Sequence, residues 1–408
     1  MKNRSLSALS LFFLLVLTFG AGFFTARSTG EFNLLGPGDT QPDGLEEEFA
    51  PFWEIWNLVD DEFVDQELDN VVLVEGAING LLATLDDPNT RYLSPEAQES
   101  ANSQIEGEFQ GIGAEVTSDE FGAILIVAPF EGSPAQAAGL QPGDILRAAD
   151  GVDLTGMDVG DAAGLVRGPA GTQVLLLIER DGEQFEVLVT RDRIQLTSVR
   201  GELLEGNIAY IRISRFARTT HDELLETAAD LLEDNPSGLI VDLRSNPGGL
   251  LSSVLDVADE FLDSGLILTE AYGNGSEDVF RADEQGILQD IRVVVLIDEG
   301  SASASEVLAG ALRDRERALL IGQTSFGKGT VQAVFTLSNG GGARITTARW
   351  LTPDGTWVHE EGITPDIFIP LPDVDAGEEA TDTQLQAAID FLLGRQVESI
   401  PPEENGDS

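Results

Sequence analysis

A serine-rich segment is the first place in the chain where residue types and spacing could do chemistry. The run Ser-Ala-Ser-Ala-Ser-Glu at 301–306 follows the apolar run 293–297, which predicts a buried strand. The run opens a predicted helix, so a serine there would lie beside unpaired N–H groups at the positive end of the helix dipole. Such donors stabilise a tetrahedral oxyanion, which suits a serine nucleophile. The spacing does not choose among Ser301, Ser303 and Ser305, and a serine N-cap with the glutamate in a capping box explains the same pattern.

Lys328 is the candidate that could activate such a serine. Apart from Lys2 it is the single lysine in the chain, and arginine serves as the positive residue everywhere else. A buried lysine can lose its proton, whereas an arginine effectively cannot, so a neutral amine is a role that arginine cannot fill. To act as a base at neutral pH, its pKa must fall by about three units, at a cost of about 4 kcal/mol. Burial in an apolar, glycine-lined pocket lowers the pKa in this direction and gives a serine activated by an amine.

Two other chemistries compete with this interpretation. His221 begins a predicted amphipathic helix like an exposed cap, and His359 lies beside acidic residues after a hairpin, so neither neighbourhood favours a histidine base. The run 322–328 matches the phosphate-loop pattern G-x-x-x-x-G-K and follows a strand. However, Gly329 stands where the magnesium-binding serine or threonine belongs, and the next segment is strand-like. We therefore interpret this match as accidental.

The composition excludes several classes of function. The 408 residues include 72 acidic side chains against 23 of Lys and Arg, a net charge of −49, so nucleic-acid binding is not expected. This acidity fits either a solvated surface or adaptation to salty water. The chain has no cysteine and only two histidines, which excludes disulfides, thiolate chemistry and a Cys/His zinc site.

The N-terminus carries a predicted membrane segment. Residues 6–24 are apolar and uncharged, follow Lys2 and Arg4, and can just span a hydrocarbon core of about 30 Å. The flanking bases favour an orientation that sends the rest of the chain across the membrane. A cleaved signal peptide is the alternative, but its small-residue cleavage pattern is poor. We therefore expect an extracytoplasmic protein held to the cell membrane, or a secreted one if the segment is removed.

Changes in periodicity divide the remaining chain. Within an α/β part that begins at residue 208, we predict strands at Ile208–Ile213, Leu239–Leu243 and Val293–Ile297, and hairpins within 329–357. The predicted parts are a signal-anchor (1–27), an acidic linker (28–48), an N-terminal helical segment (49–96), a β-rich unit (97–192), an α/β core (193–371), a C-terminal helical segment (372–395) and a disordered tail (396–408).

The serine and lysine motifs resemble those of the C-terminal processing peptidases, also called tail-specific proteases. The runs 301–306 and 325–332 (Ser-Phe-Gly-Lys-Gly-Thr-Val-Gln) carry this resemblance. It implies that Ser303 is the nucleophile, that Lys328 is the general base and that Gln332 orients this base. It also implies an oxyanion hole formed by the backbone N–H of Ala304 and a second N–H.

The resemblance implies that the second oxyanion donor comes from a glycine pair in the run Asp-Leu-Arg-Ser-Asn-Pro-Gly-Gly at 242–249. The resemblance does not decide between Gly248 and Gly249. It implies no metal and no organic cofactor.

The β-rich unit resembles a PDZ domain. The run Gly111, Ile112, Gly113, Ala114 is similar to a PDZ carboxylate-binding loop, which implies that a substrate tail adds a strand to a sheet edge. The apolar loop implies tails that end in small or apolar residues. Arg167 matches an arginine that couples PDZ occupancy to active-site assembly in some family members, although it also fits a surface turn.

Together these features predict a multi-domain α/β protein. The fold is expected to be a crotonase-like α/β protease core with an inserted or preceding β-rich PDZ domain and an N-terminal helical segment. Expected partners are proteins or peptides with free C-terminal tails, the membrane and, through the terminal helices, a second copy in a homodimer. The alternatives are a catalytically inactive PDZ adaptor of the cell envelope and a nucleotide hydrolase. The predicted function is therefore a Ser–Lys serine endopeptidase that cleaves exported proteins near their C-terminus.

Overall fold

The structure is a computed structural model that describes residues 44–65, 67–119, 122–180, 182–282, 286–371 and 381–400. The predicted membrane segment at 6–24 therefore lies outside the described residues, as does most of the acidic linker. Within the described ranges, no helix combines the length and apolar character needed to cross a membrane. The chain divides into two compact units, Met1–Val74 and Glu75–Ser408.

Helices and strands occur throughout the described residues. The helices are α1 (Glu46–Glu62), α2 (Asn70–Ala83), α3 (Pro95–Ile105), α4 (Pro134–Ala137), α5 (Val159–Val166), α6 (Thr220–Glu233), α7 (Leu251–Asp259), α8 (Ala304–Asp314) and α9 (Thr383–Leu392). The strands are β1 (Arg91–Leu93), β2 (Glu108–Gly111), β3 (Ala114–Ser118), β4 (Ile124–Pro129), β5 (Ile145–Ala149), β6 (Val152–Asp153), β7 (Gln173–Arg180), β8 (Glu183–Thr190), β9 (Asp192–Gln195), β10 (Val199–Leu204), β11 (Ile208–Ile213), β12 (Leu239–Asp242), β13 (Gly265–Tyr272), β14 (Glu277–Ala282), β15 (Val293–Ile297), β16 (Ala318–Gly322), β17 (Thr330–Thr336), β18 (Gly342–Leu351) and β19 (Ile367–Phe368).

A six-stranded sheet in the order β10-β11-β12-β15-β16-β19 forms the centre of the second unit. Strand β10 is antiparallel to β11, and the following pairs are parallel. The predicted bounds of β11 and β15 are confirmed, and β12 ends at Asp242 rather than at Leu243. Strands and helices alternate along this part of the chain, and such an alternation predicts the parallel sheet that is observed.

Both faces of this sheet are covered. Every residue of β15 is buried, with Val293, Val295 and Ile297 in one apolar core and Val294 and Leu296 in another. Side chains of α6, α7 and α8 complete the first core, and side chains of α9 complete the second. A parallel strand enclosed on two faces reads as an unbroken apolar run, which is the pattern seen at 293–297.

A second, antiparallel sheet has the order β1-β18-β13-β14, with β17 on the other edge of β18. The predicted hairpin β17–β18 is confirmed. The turn predicted at 353–355 is present, since Gly355 N–H donates to Thr352 O and Thr352 N–H to Thr356 O, but the described residues after it form no strand that pairs with β18. Strands β13 and β14 were not predicted, although the Asn274-Gly275 turn between them is a recognised hairpin signal.

The predicted β-rich unit has its own sheet and its own core. The order is β3-β4-β5-β7-β8, with β6 on β5, and the side chains within it include Ile124, Leu146, Val174 and Leu176. Strands β2 and β9 pair with each other as the chain enters and leaves this unit. The sequence analysis missed this short ribbon, because four residues on each side give little alternation to detect.

Candidate active site

The candidate active site lies where three neighbouring parallel strands end. Strand β12 leads into residues 243–249 (the glycine loop), β15 into residues 298–303 (the serine segment) and β16 into residues 323–329 (the base loop). Because β12, β15 and β16 are parallel neighbours, these three segments leave the same edge of the sheet. Ligand sites of open α/β sheets form in this position.

Ser303 has a strained backbone at the start of α8. Its φ of 55° and ψ of −114° are rare for a residue with a side chain, and such strain costs about 1–3 kcal/mol and clusters at functional sites. Ser301 and Ser305 are fully buried, and their hydroxyls donate to Leu243 O at 2.8 Å and Asn246 O at 2.9 Å. Ser303 is partly exposed, and within the described part of the chain its hydroxyl donates to no acceptor. The structure therefore separates three serines that spacing alone did not distinguish.

Glu306 ties the serine segment to the base loop. This fully buried carboxylate accepts four hydrogen bonds: Oε2 from the N–H of Ser303 at 2.7 Å and of Lys328 at 2.9 Å, and Oε1 from the N–H of Gly327 at 2.6 Å and the Ser325 hydroxyl at 2.7 Å. Hydrogen bonds to an ionised acceptor are roughly twice as strong as neutral ones. The capping interpretation anticipated the Ser303 bond, whereas the bonds to the base loop were missed.

Asn246 ties the glycine loop to the serine segment. Its carbonyl accepts from Ala302 N–H at 3.0 Å and from the Ser305 hydroxyl at 2.9 Å. Its side-chain amide donates to Ile213 O at 2.8 Å, and its Oδ1 accepts from Gly248 N–H at 2.9 Å. This buried side chain was not singled out from the sequence, because its partners become neighbours only in the folded sheet.

The two candidate glycines differ in what their backbone does. A Cβ placed on Gly248 would lie 2.8 Å from Ser303 Cβ and 2.9 Å from Ala304 N, so this residue borders Ser303. Its own N–H is already donated to Asn246. Among the described residues, neither Gly249 N–H nor Ala304 N–H has an acceptor. Gly248 therefore lines the site beside Ser303 without offering its N–H. The backbone N–H groups that remain free to donate are those of Gly249 and Ala304.

Lys328 is half-buried, and its pKa is lowered to about 8. Burial is the largest cause, because it penalises the charged form, and the guanidinium groups of Arg344 and Arg91 lower the pKa further. The carboxylates of Glu306 and Asp87 act in the opposite direction. Nothing in the described ranges forms a hydrogen bond or ion pair with the amine. At pH 7 a lysine with this pKa is neutral in about one molecule in ten, which is enough to supply a base.

Gln332 lies on β17, close to the base loop. Its amide donates to Thr330 Oγ1 at 2.9 Å and to Thr346 Oγ1 at 3.3 Å. Within the described residues no hydrogen bond joins it to the Lys328 amine, so its role in orienting the base stays a prediction.

Sequence reasoning missed a set of polar side chains near Lys328, several of which belong to the antiparallel sheet. Asp87 accepts from the Thr90 hydroxyl at 2.7 Å, and Thr90 Oγ1 accepts from Thr346 N–H at 3.0 Å. Arg344 lies on the same strand as Thr346. None of these residues stands near the lysine in sequence, so only the strand pairing could reveal them.

The competing chemistries receive no geometric support. His221 is bonded to Glu260 at 2.9 Å. His359 adjoins the base loop, since a Cβ on Gly329 would lie 2.9 Å from its Cβ, but its ring is stacked on Trp357 with centroids 5.0 Å apart and has no hydrogen bond to a serine among the described residues. The base loop continues into strand β17, whereas a phosphate loop would open a helix. The phosphate-loop interpretation was therefore rightly set aside.

The predicted carboxylate loop connects β2 to β3. Gly111 ends β2 and Ala114 begins β3, so Ile112 and Gly113 lie between the two strands. Gly113 has a φ of 74°, and a Cβ there would lie 2.6 Å from Ser133 Cβ. The loop can therefore hold this conformation only with glycine at that position.

Arg167 lies beside this loop, directly after α5. Its guanidinium is over the Phe109 ring at 5.6 Å, and its Cγ is 3.6 Å from the position of a Cβ on Gly111. The structure therefore brings the predicted regulatory arginine next to the predicted carboxylate loop.

An α/β core in which one buried glutamate ties a serine segment to a loop with a half-buried lysine, joined to a separate PDZ-type sheet, fits a hydrolase with a peptide-binding module. Residues 207–369 match the family model for peptidase family S41, residues 125–180 match a PDZ domain and residues 25–97 match the N-terminal domain of the activating protease CtpB. The chain belongs to peptidase family S41 and is a serine peptidase of the carboxy-terminal processing type.

Individual relatives support this assignment. The chain is 37% identical over 373 residues to the carboxy-terminal processing protease CtpA of Bacillus subtilis, which covers 90% of this chain and 78% of the relative. It is 38% identical over 348 residues to the carboxyl-terminal-processing protease of Synechocystis sp., with 83% and 81% covered. A structure from Bacteroides fragilis assigned to the S41 proteases shares the fold, with a TM-score of 0.54, 17% identity and 81% and 91% covered. The predicted family, enzyme class and PDZ-bearing fold are thereby confirmed.

Proposed function

We propose that this peptidase cleaves peptide bonds with Ser303 as the nucleophile and neutral Lys328 as the general base. The observation that carries the proposal is the Glu306 carboxylate, because one of its oxygens accepts the backbone N–H of both residues. This shared acceptor supports a fixed separation between the nucleophile and the base. The lowered pKa of Lys328 supplies the neutral amine that the chemistry requires.

The proposed reaction has two halves. In the first, the Lys328 amine takes the proton of the Ser303 hydroxyl while Oγ bonds to the substrate carbonyl carbon, and the oxyanion accepts from Ala304 and Gly249 N–H. The ammonium then gives its proton to the leaving amine, and the acyl-enzyme remains. In the second half, the same amine takes a proton from water while the water oxygen attacks the ester carbonyl carbon. The ammonium then returns its proton to Ser303 Oγ as the ester C–O bond breaks, which releases the product acid and regenerates the neutral amine.

We propose that the PDZ domain selects substrates by their C-terminal tails. The tail would pair with the edge of the PDZ sheet, with its carboxylate held at Gly111–Ala114. The position of Arg167 against Phe109 and Gly111 supports a coupling between an occupied loop and the protease core. Amidation of the tail should weaken binding to this loop, because it removes the negative charge.

The targets are proposed to be exported proteins. This rests on the apolar residues 6–24 and the bases Lys2 and Arg4, which predict transfer of the rest of the chain across a membrane. Extraction of membranes with alkaline carbonate tests the anchor: the full chain should stay with the membrane, and a chain lacking residues 1–27 should not. Recovery of both forms in the soluble fraction would contradict the proposed anchor.

The catalytic proposal is tested with a fluorogenic peptide that carries a free, apolar C-terminus. Wild type should cleave it, whereas Ser303→Ala and Lys328→Arg should each lose at least about a hundredfold in kcat/KM, because one lacks the nucleophile and the other a neutral base. Both variants should still bind the peptide through the PDZ domain. Binding without cleavage by wild type would favour the inactive-adaptor alternative, and full activity of Ser303→Ala would refute the nucleophile.

A further inference from the structure

Two arginines lie side by side at the margin of the candidate active site. Arg91 is the direct partner of Arg344 in the antiparallel pairing of β1 with β18. Residues that are directly opposite in an antiparallel pair have their side chains on the same face of the sheet. Both guanidinium groups lie near enough to Lys328 to disfavour its charged form. They therefore form one positive patch beside the proposed base.

This pairing is unfavourable in the protein as it stands. Like charges that are directly opposite across two strands destabilise a sheet, and Arg344 is partly buried as well. Throughout the described residues neither guanidinium has a hydrogen bond or an ion pair. Acidic residues outnumber Lys and Arg by 72 to 23, so an unpaired arginine pair is not explained by a shortage of carboxylates.

The Asp87 carboxylate, which acts on Lys328, does not pair with either arginine. It accepts from Asn89 N–H at 3.0 Å and from the Thr90 hydroxyl at 2.7 Å, and among the described residues it forms no ion pair. Other partly buried arginines do have acidic partners, for example Arg180 with Asp144 at 2.6 Å. The pair Arg91–Arg344 is thus left open toward an anion that the chain itself does not supply.

We infer that Arg91 and Arg344 form a subsite that binds an acidic side chain of the peptide substrate. The inference rests on the proposed function, because it assumes that the peptide lies along Ser303 and Lys328. A carboxylate is the anion that a peptide brings, and a planar guanidinium binds it with two parallel hydrogen bonds. The C-terminal carboxylate is assigned to the PDZ loop, so the group bound here belongs to an Asp or Glu side chain.

The test uses two sets of internally quenched peptides. Within a set the peptides differ in one side chain, and the two sets differ only in the C-terminus. In the first set, an Asp or Glu is moved through the positions on both sides of the cleaved bond, and each peptide is paired with its Asn or Gln counterpart. In the second set, the same peptides carry an amidated C-terminus. Wild type should prefer the acidic member at one position by about tenfold in kcat/KM, with a free or an amidated end.

Arg344→Gln should reduce this preference to near unity, and Arg91→Gln should weaken it. Arg281→Gln is the matched control, since this exposed arginine lies on β14, at the opposite edge of the sheet from β1, and it should keep the wild-type preference. A change in the pKa of Lys328 affects both members of a peptide pair equally, so the ratio isolates recognition of the substrate. Circular dichroism checks that each variant is folded. If Arg344→Gln is not folded, Arg91→Gln still tests the subsite, because Arg91 is exposed.

The outcomes separate the two proposals. Cleavage of neutral peptides that depends on Ser303, with the same acidic preference in wild type and both arginine variants, would overturn the subsite and leave the proposed function intact. A preference that follows the terminal carboxylate instead of a side chain would also overturn it. Absence of all Ser303-dependent cleavage would refute the proposed function itself.

Discussion

The backbone N–H of Lys328 donates to the carboxylate of Glu306 at 2.9 Å, which joins the base loop to α8, the helix that directly follows Ser303. The same oxygen accepts the N–H of Ser303 at 2.7 Å. The side chains proposed to react are thus positioned by a residue that does not take part in the chemistry. This arrangement makes the relative position of base and nucleophile depend on one buried negative charge.

Glu306→Gln should therefore impair both folding and catalysis. Glutamine has one acceptor oxygen, so its NH₂ group would face two donors that the carboxylate now satisfies, and about 2–4 kcal/mol of unfolding free energy should be lost. The value of kcat should fall at least about tenfold, because the base loop loses its anchor. Urea unfolding and single-turnover kinetics measure the two effects. Glu233→Gln, at an exposed position on α6, is the control and should change neither the unfolding free energy nor kcat. If Glu306→Gln also left both unchanged, Glu306 would not be what anchors the base loop.

The dependence of kcat/KM on pH should report the protonation of Lys328. The neutral amine is the active form, so activity should rise as the pH increases through about 8 and then level off. Arg344→Gln removes a positive charge that favours the neutral amine, so the rise should move to higher pH. Asp87→Asn removes a negative charge that favours the ammonium, so the rise should move to lower pH. The pH profiles of kcat/KM for both variants, recorded with a neutral peptide, check these two shifts. If the rise in activity moved in the same direction in both variants, the assignment of Lys328 as the base would be contradicted.

Sequence reasoning singled out Lys328 and the serine-rich segment because their residue types carry information, whereas the choice of Ser303 within that segment rests on the family resemblance. Lys328 stands out as a lone lysine in an arginine-using chain, and the parallel strands stand out as unbroken apolar runs. Glu306, Asn246 and Arg344 did not stand out, because their roles depend on which strands become neighbours. A buried carboxylate at 306 reads locally as a helix cap, and its bonds to Gly327 and Lys328 exist only when β15 lies beside β16. The short strand β1 likewise has too few residues to show a period, although it brings Arg91 to the site.

Gly248→Ala should block catalysis while the fold persists. The new Cβ would lie 2.7 Å from Ala302 O and 2.8 Å from Ser303 Cβ, and the φ of 98° disfavours any side chain. We expect kcat to fall at least about a hundredfold, because the nucleophile is displaced from its donors. Gly273→Ala is the control: this turn glycine has an ordinary φ and no atom within 4 Å of the new Cβ, so its activity should stay at the wild-type level. Wild-type kcat in Gly248→Ala would show that this glycine does not border the reacting group.

The glycine loop should also depend on the C-terminal helix. Arg244 in this loop donates to buried Asp242 at 2.7 Å and to both oxygens of Asp382 at 2.8 Å, and Asp382 caps α9 by accepting from Leu385 N–H. Burial alone would raise the pKa of Asp382, but the Arg244 guanidinium lowers it below its ordinary value.

Asp382→Ala removes two of these bonds from a largely buried guanidinium and removes the cap of α9. It should lower the unfolding free energy by about 1–3 kcal/mol and reduce kcat with little change in KM, because the glycine loop loses a support while the PDZ domain is untouched. Asp390→Ala, on the same helix, breaks the pair with Arg395, which lies beyond the end of α9 and is exposed, and it should cost less than about 1 kcal/mol. Urea unfolding together with steady-state kinetics on both variants distinguishes the two positions. Equal effects of the two substitutions, or a loss confined to KM, would mean that the C-terminal helix does not support the oxyanion donors.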